Sequence, residues 1–479
     1  MLSTHPELIV DHLTLHSVSS LETCDLVSQR QLRTFTPSAG RYKYTARLIV
    51  HWGMLGFPQA GRTAVTKGRD MEHWTDFGVG QLPSFSARKR VEFPPPFEAL
   101  FGELAGTVQR PLQGLTSDGT VQAGLFPLRS TGVSTAPITD AASRFLGALS
   151  AEQRQRAVFP LEAEERRMWL NIHPFVFRHG VMLEDLPPAT RQLGLGLLEA
   201  SLSARGFAQA RDIMRLNRLL AEVTGFPDDF GEWPYFLSFY GEPSAERPWA
   251  WQIDGHHLCL NGTVIGDQFL LTPGFMGSEP CQVFDGPLAG TMVFTAEERA
   301  GLDLIRSLDD RQAAQAVQRP SIYPDDLPPE LQDPLDGRIQ AGAFRGDNAV
   351  VAYAGVCAAD LTGIQRRCLR ALVAAYVGWT SEGHSGVKMS EVDQHLDETY
   401  FAWMGAVADD GPFYYRVHSP VVLIEFDHHP GVAFDNVMPS RNHIHTIIRT
   451  PNGGDYGLDL LRQHHERYDH STGIHTARP

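Results

Sequence analysis

Two histidines stand two residues apart in the segment RNHIHTIIR, at His443 and His445. The β-branched residues around them predict a strand, in which side chains alternate between the two faces of a sheet. His443 and His445 therefore share a face and lie about 7 Å apart along the strand. Two imidazoles at that spacing can bind one metal ion, but they can equally form the polar face of a strand.

A carboxylate in an apolar strand is the second feature. Glu425 stands in the run VVLIEFDHH, with Asp427 on the same side of the strand. Burying a carboxylate costs free energy unless it is paired, hydrogen-bonded or bound to a metal. Glu425 is therefore a candidate metal ligand or general base, or else the partner of Arg416 or Arg449. The same two arginines are candidate anchors for a substrate.

The third feature is the double histidine of DGHHLCLN, at His256 and His257. In a regular strand these side chains point to opposite faces, so only one of them faces a site shared with His443 and His445. The preceding Gly255 permits a bulge that would re-aim a side chain. Both histidines therefore stay candidate ligands.

Together these residues predict a site of two or three histidines and one carboxylate, built from three strand segments. Such a set binds zinc, iron(II), manganese or copper, and ligand type alone does not fix which. The leading hypothesis is a metal-dependent enzyme acting on a small organic molecule, as an oxidoreductase or a hydrolase. A metal-free acid–base site is a variant of it. The alternative is a non-enzymatic binding or assembly protein, in which the same groups form a structural polar network.

The helices that must support these strands are predicted from stripes of apolar residues. They run over 188–226, as two helices hinged at Gly206, and over about 360–378. A further helix is predicted to begin at Thr295, with Glu298 completing a capping box. We expect these helices to form scaffold and to contribute no chemistry.

The strands are predicted to pair mostly antiparallel, with one hairpin turn at Gly266-Asp267. Because helices and strands are partly segregated along the chain, the fold class is α+β, a helical layer packed on a mostly antiparallel sheet. No internal repeat is evident. Three regions are expected: a β-rich N-terminal region over 1–137, which includes the alternating segment 42–52, an α+β domain over 138–470, and a polar tail over 471–479.

The composition limits the class of partner. A net charge of −15 argues against nucleic acid or an anionic membrane, because both need a basic surface. Five scattered cysteines without a C-x-x-C pair indicate a reducing compartment. No secretory signal and no apolar run of membrane length is evident, so we expect a cytoplasmic protein. Its expected partner is a small-molecule substrate, and a homo-oligomer stays an open option.

Four long segments carry a resemblance to a known family. They are PWAWQIDGHHLCLNGTVIGDQFLLTPGFMGSEP, FAWMG, YYRVHSPVVLIEFD and NHIHTIIRTPNGGDYGLDLLRQH. With these the chain resembles the DUF3500 family, a domain of unknown function, over residues 138–470. The resemblance implies that the Gly-His-His, Ile-Glu-Phe and Asn-His-Ile-His elements belong together, but it implies no activity. The chain departs from the family pattern at Thr450, where an acidic residue is expected.

Overall fold

A computed structural model gives the fold of the chain. It describes residues 102, 106–172, 176–331, 340, 342, 344–431, 433–434, 438–469 and 476–477. All of these belong to the compact unit Thr63–Pro479. The predicted strand at 42–52 lies outside the described residues, in the unit Met1–Arg62.

The first eight α-helices of the described residues come in pairs along the chain, and a ninth follows by itself. They are α1 (Ala136–Gly147), α2 (Ala151–Ala157), α3 (Pro188–Ser201), α4 (Ala204–Thr224), α5 (Thr295–Ser307), α6 (Asp310–Ala316), α7 (Gly363–Val377), α8 (Glu382–Gln394) and α9 (Leu458–Arg467). None of these helices is both long and apolar enough to cross a membrane. Short 3-10 helices span Glu164–Arg167, Leu183–Asp185, Gly286–Leu288, Pro324–Asp326, Pro329–Leu331, Phe344–Asn348, Ala358–Asp360, Leu396–Glu398 and Asp455–Gly457.

The strands alternate with these helix pairs. They are β1 (Val158–Phe159), β2 (Val181–Met182), β3 (Phe236–Tyr240), β4 (Trp249–Asp254), β5 (Leu258–Ile265), β6 (Gln268–Ser278), β7 (Val317–Arg319), β8 (Val356–Cys357), β9 (Tyr400–Gly405), β10 (Phe413–His418), β11 (Leu423–Pro430), β12 (Pro439–Arg449), β13 (Tyr468–Asp469) and β14 (Thr476–Ala477). The last two pair with each other outside the main sheet.

Twelve strands of the described residues form one open, mixed sheet. Their order is β1-β3-β4-β5-β6-β12-β11-β10-β9-β7, with β2 paired to β3 and β8 paired to β9. Only the short β1–β3 and β7–β9 pairs are parallel. The predicted α+β class with a mostly antiparallel sheet is confirmed. The predicted hairpin at Gly266 is confirmed as well, because Ile265 pairs with Gln268 across a two-residue turn.

The sheet consists of two copies of one arrangement. The first repeat, residues 136–278, runs α1-α2-β1-β2-α3-α4-β3-β4-β5-β6, and the second repeat, residues 295–449, runs α5-α6-β7-β8-α7-α8-β9-β10-β11-β12. In each repeat the first short strand pairs parallel, and the second antiparallel, with the strand that follows the helix pair. Because β6 and β12 pair antiparallel at the centre, an approximate twofold axis relates the repeats. The expectation that there is no internal repeat is wrong.

The two faces of the sheet have different surroundings. One face packs against the helices: the Tyr415 hydroxyl on β10 lies 2.6 Å from the Tyr376 hydroxyl on α7. We call the other face the polar face. Described residues of the β1–β2 and β7–β8 connections contact it: the Leu170 N–H donates to Asp254 and the Gly342 N–H donates to Glu425. Its polar and charged strand residues include Gln252, Asp254, Asn261, Arg416, His418, Glu425, Asp427, His443, His445 and Arg449.

The predicted hinge at Gly206 is misplaced. The break between α3 and α4 falls at Leu202 and Ser203, and Gly206 lies inside α4. Ser203 caps α4 by accepting a hydrogen bond from the Gly206 N–H. A Cβ at residue 206 would overlap the backbone of Trp379, so Gly206 permits close packing between the repeats and does not bend a helix.

The predicted helix starting at Thr295 is confirmed, but its capping box is wrong. Phe294 is the N-cap, and no side chain caps the helix. The Glu298 carboxylate instead accepts hydrogen bonds from Arg441 and lies 3.0 Å from His428 Nε2, so it ties α5 to the sheet. The helix predicted over about 360–378 is α7.

Candidate metal centre

The turn between β4 and β5 positions His256 and His257. His257 adopts a left-handed backbone conformation with φ of 63°. Its N–H donates to the Asn171 carbonyl at 2.9 Å, and its own carbonyl accepts from the Gly277 N–H at 2.8 Å. Of the two possibilities that the sequence leaves open, a regular strand and a local irregularity after Gly255, the structure therefore shows the second. The turn, and not strand alternation, aims the His257 ring, and both side chains are buried.

His443 and His445 lie on β12 and share the polar face, as their spacing predicts. His445 is flanked by Gly277 on β6 and by Asp427 on β11. A Cβ at residue 277 would lie 3.0 Å from His445 Cδ2 and 3.1 Å from His257 Cδ2. Gly277 thus leaves the space through which the His257 ring reaches β12.

Three imidazoles converge at this point, those of His257, His443 and His445. The Nε2 atoms form a triangle with sides of 2.9 Å between His443 and His445, 3.1 Å between His257 and His443, and 3.2 Å between His257 and His445. All three side chains are buried. Their ligand atoms lie within 4.8 Å of one another, close enough to share one metal ion.

The tautomer of His443 follows from its second nitrogen. His443 Nδ1 lies 2.6 Å from the Pro430 carbonyl oxygen, which can only accept a hydrogen bond. Nδ1 therefore carries the proton, and Nε2 presents a lone pair to the other histidines. Burial, together with the adjacent His445, holds the pKa of His443 well below its usual value. Burial and the neighbouring histidines act in the same direction on the pKa of His257. Both rings are thus neutral at pH 7, the form that binds metals.

Protons alone cannot satisfy this triangle of nitrogens. His443 Nε2 can only accept a hydrogen bond. If one of the other two Nε2 atoms carries a proton, the remaining one and His443 Nε2 face each other with their lone pairs. If both carry a proton, the two N–H groups of His257 and His445 face each other at 3.2 Å. A cation in contact with three lone pairs removes the conflict. If an ion lies about 2.1 Å from each nitrogen, the nitrogens are about 3.0 Å apart for N–metal–N angles of about 90° and about 3.4 Å apart for tetrahedral angles. Two of the three observed distances, 3.1 and 3.2 Å, fall in that range, and the third is 2.9 Å.

The position of His256 differs from that of the three converging histidines. Its ring stacks on His257 with centroids 3.8 Å apart. Its Nδ1 lies 2.7 Å from Asn217 Oδ1, while the Asn217 amide nitrogen donates to the Gly231 carbonyl. His256 therefore supports the His257 ring by stacking on it, and Asn217 on α4 holds it in place. It is not one of the three residues whose ligand atoms converge.

A family comparison covers both repeats. The family model DUF3500, described as a protein of unknown function, matches residues 131–458. The chain belongs to the DUF3500 family. Among curated proteins none matches it, and among solved structures none does either. The matched range of this DUF3500 chain includes all three converging histidines.

Sequence reasoning missed His429, which borders the centre. Its ring stacks on His445 with centroids 4.5 Å apart and meets His443 edge-on at 4.8 Å. His429 Nδ1 lies 3.1 Å from Asp427 Oδ2. The signal was present in the sequence, because alternation along EFDHH puts Asp427 and His429 on the face that Glu425 shares.

Glu425 lies on the polar face but outside the group of converging histidines. In the sheet it is opposite Ile447, whereas Asp427 is opposite His445. Its Oε1 accepts a hydrogen bond from the Tyr414 hydroxyl at 2.5 Å, and its Oε2 accepts from the Gly342 N–H at 2.6 Å. These two donors and the charge of the cross-strand Arg416 stabilise the buried carboxylate.

The two predicted anchor arginines have different environments. Arg449 is fully buried, and its Nη1 lies 3.0 Å from Asp347 and 2.9 Å from Asp455. It therefore ties the end of β12 to the neighbouring loops. Arg416 is partly buried on β10, and its Nε has no hydrogen-bond partner among the described residues. Burial by itself would lower the pKa of its guanidinium, but Tyr414 and the cross-strand Glu425 raise it.

Proposed function

We propose that this DUF3500 protein is a metal-dependent enzyme whose divalent transition metal is bound by His257, His443 and His445. One observation carries the proposal: three buried Nε2 atoms converge with no distribution of protons that satisfies them. Zinc, iron(II), manganese and copper all accept three neutral imidazoles. The proposed substrate is a small organic molecule.

The number of protein ligands supports a catalytic role over a structural one. Structural zinc sites are closed by four protein ligands, whereas catalytic sites keep a position for water or substrate. A metal bound here would supply Lewis acidity or an activated water, and a redox metal would supply electron transfer. Hydrolase and oxidoreductase chemistry both remain within the proposal.

The neighbouring pair of Asp427 and His429 supports proton transfer beside the metal. If His429 Nδ1–H donates to the Asp427 carboxylate, the other ring nitrogen is the one that can accept a proton. The His429 ring lies against both His443 and His445. We assign it the role of general acid–base, oriented by Asp427.

Elemental analysis of protein purified without a histidine tag tests the proposal. About one metal per chain is expected in the wild type. The variants His257→Ala, His443→Ala and His445→Ala should each lose it, because each removes a third of the ligand set. His465→Ala, at an exposed position on α9, is the matched control and should keep the metal. Glu425→Gln should keep it too. A metal-free wild type that also takes up none of the four metals on titration would contradict the proposal.

A second candidate function is a non-enzymatic binding or assembly role, with the histidines as a structural network. The nitrogen–nitrogen distances of 2.9 to 3.2 Å, which are also hydrogen-bond distances, favour it. In that case alanine variants lower the free energy of unfolding with no metal present. The metal proposal expects instead that metal removal by a chelator destabilises the wild type and leaves the variants unchanged.

A further inference from the structure

Equivalent positions of the two repeats carry different polar residues on the polar face. In the first repeat Gln252 on β4 is paired with Ser238 and Asn261 across the neighbouring strands. At the same place in the second repeat Arg416 on β10 is paired with Ala402 and Glu425. Each polar side chain of one repeat can therefore be compared with its counterpart in the other.

In the first repeat this part of the polar face is a closed hydrogen-bond network. The Gln252 amide nitrogen donates to the Arg166 carbonyl and to Asn261 Oδ1. Gln252 Oε1 lies 2.8 Å from His179 Nε2, and the Tyr240 hydroxyl donates to it at 3.3 Å. Every hydrogen-bonding atom of the Gln252 amide thus has a protein partner.

In the second repeat the corresponding nitrogens have no such partners. Arg416 Nε and both ring nitrogens of His418 are buried without a hydrogen-bond partner in the described part of the chain. His418 occupies the place that Asp254 holds in the first repeat, since each ends its strand opposite the first residue of its neighbour. Buried polar atoms without partners are rare in native proteins, and a cluster of three requires an explanation.

The neighbours of Arg416 leave its Nε without a hydrogen-bond acceptor in the described part of the chain. Burial by itself would lower the pKa of the guanidinium, whereas Tyr414 and the cross-strand Glu425 raise it. Both Glu425 oxygens already accept hydrogen bonds, from Tyr414 and Gly342. His418 is neutral at pH 7, because burial and the Arg416 charge lower its pKa to about 3. A neutral imidazole keeps one donor nitrogen beside the guanidinium. The pair therefore offers a planar cationic fork and a neutral donor.

We infer that Arg416 and His418 form a subsite for a carboxylate group on the protein's small-molecule substrate. A guanidinium pairs with a carboxylate through two parallel hydrogen bonds, and the His418 donor supplies a third. A phosphate dianion fits less well, because Glu425 and Asp427 add negative charge on the same face. This inference rests on the proposed function, for which it names the substrate class.

The subsite lies within reach of the metal centre. Arg416 is two strands away from β12, about 10 Å, and two residues further along, about 7 Å, so its Cα is about 12 Å from that of His445. The Arg416 side chain shortens that gap. A substrate with its carboxylate several bonds from the reacting group would span it.

The ring of His418 has an aromatic neighbourhood that fits an organic carboxylate better than a bare ion. Tyr353 meets it with centroids 4.6 Å apart and stacks on Tyr400 at 4.9 Å. Benzoate, which combines a carboxylate with a flat apolar ring, is therefore the first probe to use. Acetate and inorganic phosphate are the comparison ligands.

The test is saturation-transfer NMR of benzoate with the full-length protein in the presence of a chelator, so that benzoate cannot bind through the metal. We expect saturable binding that acetate displaces and inorganic phosphate does not. Arg416→Gln, which installs the residue of the first repeat, should weaken binding roughly tenfold or more through loss of a charge-assisted bond. The matched control Arg462→Gln, on the exposed face of α9, should bind benzoate as the wild type does.

A second variant keeps the test valid if Arg416→Gln does not fold. His418→Phe retains the ring against Tyr353 and removes both nitrogens, so benzoate binding should weaken several-fold with no loss of thermal stability. Absent or unsaturable binding in the wild type would overturn the inference, as would unchanged binding in both variants or tighter binding of phosphate than of benzoate. His443→Ala separates this inference from the proposed function: it should lose metal and keep benzoate binding, and loss of both would place the carboxylate at the histidines.

Discussion

The two repeats share one scaffold and differ in chemistry. Both end a strand with a buried ionisable residue, Asp254 in the first and His418 in the second. After Asp254 the turn carries Gly255, His256 and His257, whereas after His418 the chain continues as Ser-Pro-Val-Val. Of these two turns, the first therefore brings a histidine to the central strand pair, where it meets His443 and His445. The comparison teaches that a symmetric sheet can hold one asymmetric site at the junction of its halves.

The three converging histidines, which we propose as metal ligands, come from both repeats. His257 belongs to the first repeat, and His443 and His445 belong to the second. The pairing of β6 with β12 brings them together, and Gly277 on β6 leaves the space between them. Neither repeat by itself contains the three nitrogens, so the site depends on the association of the two halves.

The largest expected effect separates the two arginines of the second repeat. Arg449→Met leaves Asp347 and Asp455 buried without their cation and should cost about 3–5 kcal/mol of unfolding free energy. Arg416→Met is the matched change at a residue whose Nε has no hydrogen-bond partner in the described part of the chain, and should cost less than about 1 kcal/mol. Urea unfolding at pH 7 measures both. Equal costs would show that Arg416 also has a structural role.

A second prediction concerns equivalent glycines of the two repeats. Gly180 and Gly355 have φ of 91° and 95°, and a Cβ on either would overlap the strand backbone beside it. Strain and overlap together should make Gly180→Ala and Gly355→Ala each cost about 2–4 kcal/mol, with similar values in both repeats. Gly119→Ala is the control, because φ there is 91° but the nearest atom is 3.9 Å from the added carbon.

The unfolding free energies of the three glycine variants can be compared directly. Gly119→Ala should cost only the backbone term, about 1 kcal/mol, measured by thermal or urea unfolding. If only one of the two repeat glycines proves costly, the repeats do not use the same packing at this point.

A third prediction contrasts the pH dependence of the repeats. Burial lowers the pKa of His418 to about 3, so the unfolded chain takes up a proton first as the pH falls below about 6.5, and stability present above that pH is lost. His418 alone should account for a loss of about 2 kcal/mol between pH 7 and pH 5. Burial raises the pKa of Asp254 to about 7, so that residue contributes stability below its unfolded value, which is lost as the pH rises.

Variants isolate the two contributions. His418→Phe should remove the loss of stability on acidification below about pH 6.5. Asp254→Asn should remove the opposing loss of stability as the pH rises from about 4 to about 7. Urea unfolding from pH 4.5 to 8.5 measures both. A His418→Phe protein with the same slope of stability between pH 5 and pH 7 as the wild type would show that His418 does not cause its part of the pH dependence.

The smallest expected effect, on metal affinity, distinguishes His256, which stacks on His257, from the three proposed ligands. His256→Phe retains a ring to stack on His257 and should reduce metal affinity by less than tenfold, in a competition titration with a chelator. His257→Ala should abolish binding in the same titration. A complete loss of metal in His256→Phe would place His256 among the ligands.

Part of this account could be read from the sequence. The shared face of His443 and His445 follows from strand alternation, and the helices α5 and α7 follow from their apolar stripes. The inward aim of His257 could not be predicted, because it depends on a left-handed turn fixed by hydrogen bonds to Asn171 and Gly277. The environment of Glu425 likewise depends on donors from distant segments.

The amino-acid sequences of the two repeats are similar at only a few positions. The patterns Gly-Val-x-x-x-Asp-Leu-x-x-x-x-Arg at 180–191 and 355–366 coincide, as do Gly and Pro at 241 and 248 with Gly and Pro at 405 and 412. These positions serve the backbone, which the repeats share. The side chains between them have diverged, because each half buries a different set of residues.

The most direct test of the central claim is a crystal structure of the metal-loaded protein with anomalous data at the absorption edge of that metal. The account predicts one peak per chain, about 2.1 Å from Nε2 of His257, His443 and His445, with a further position open to water. A peak at Glu425 or elsewhere, or three histidines hydrogen-bonded to one another with no peak between them, would contradict it.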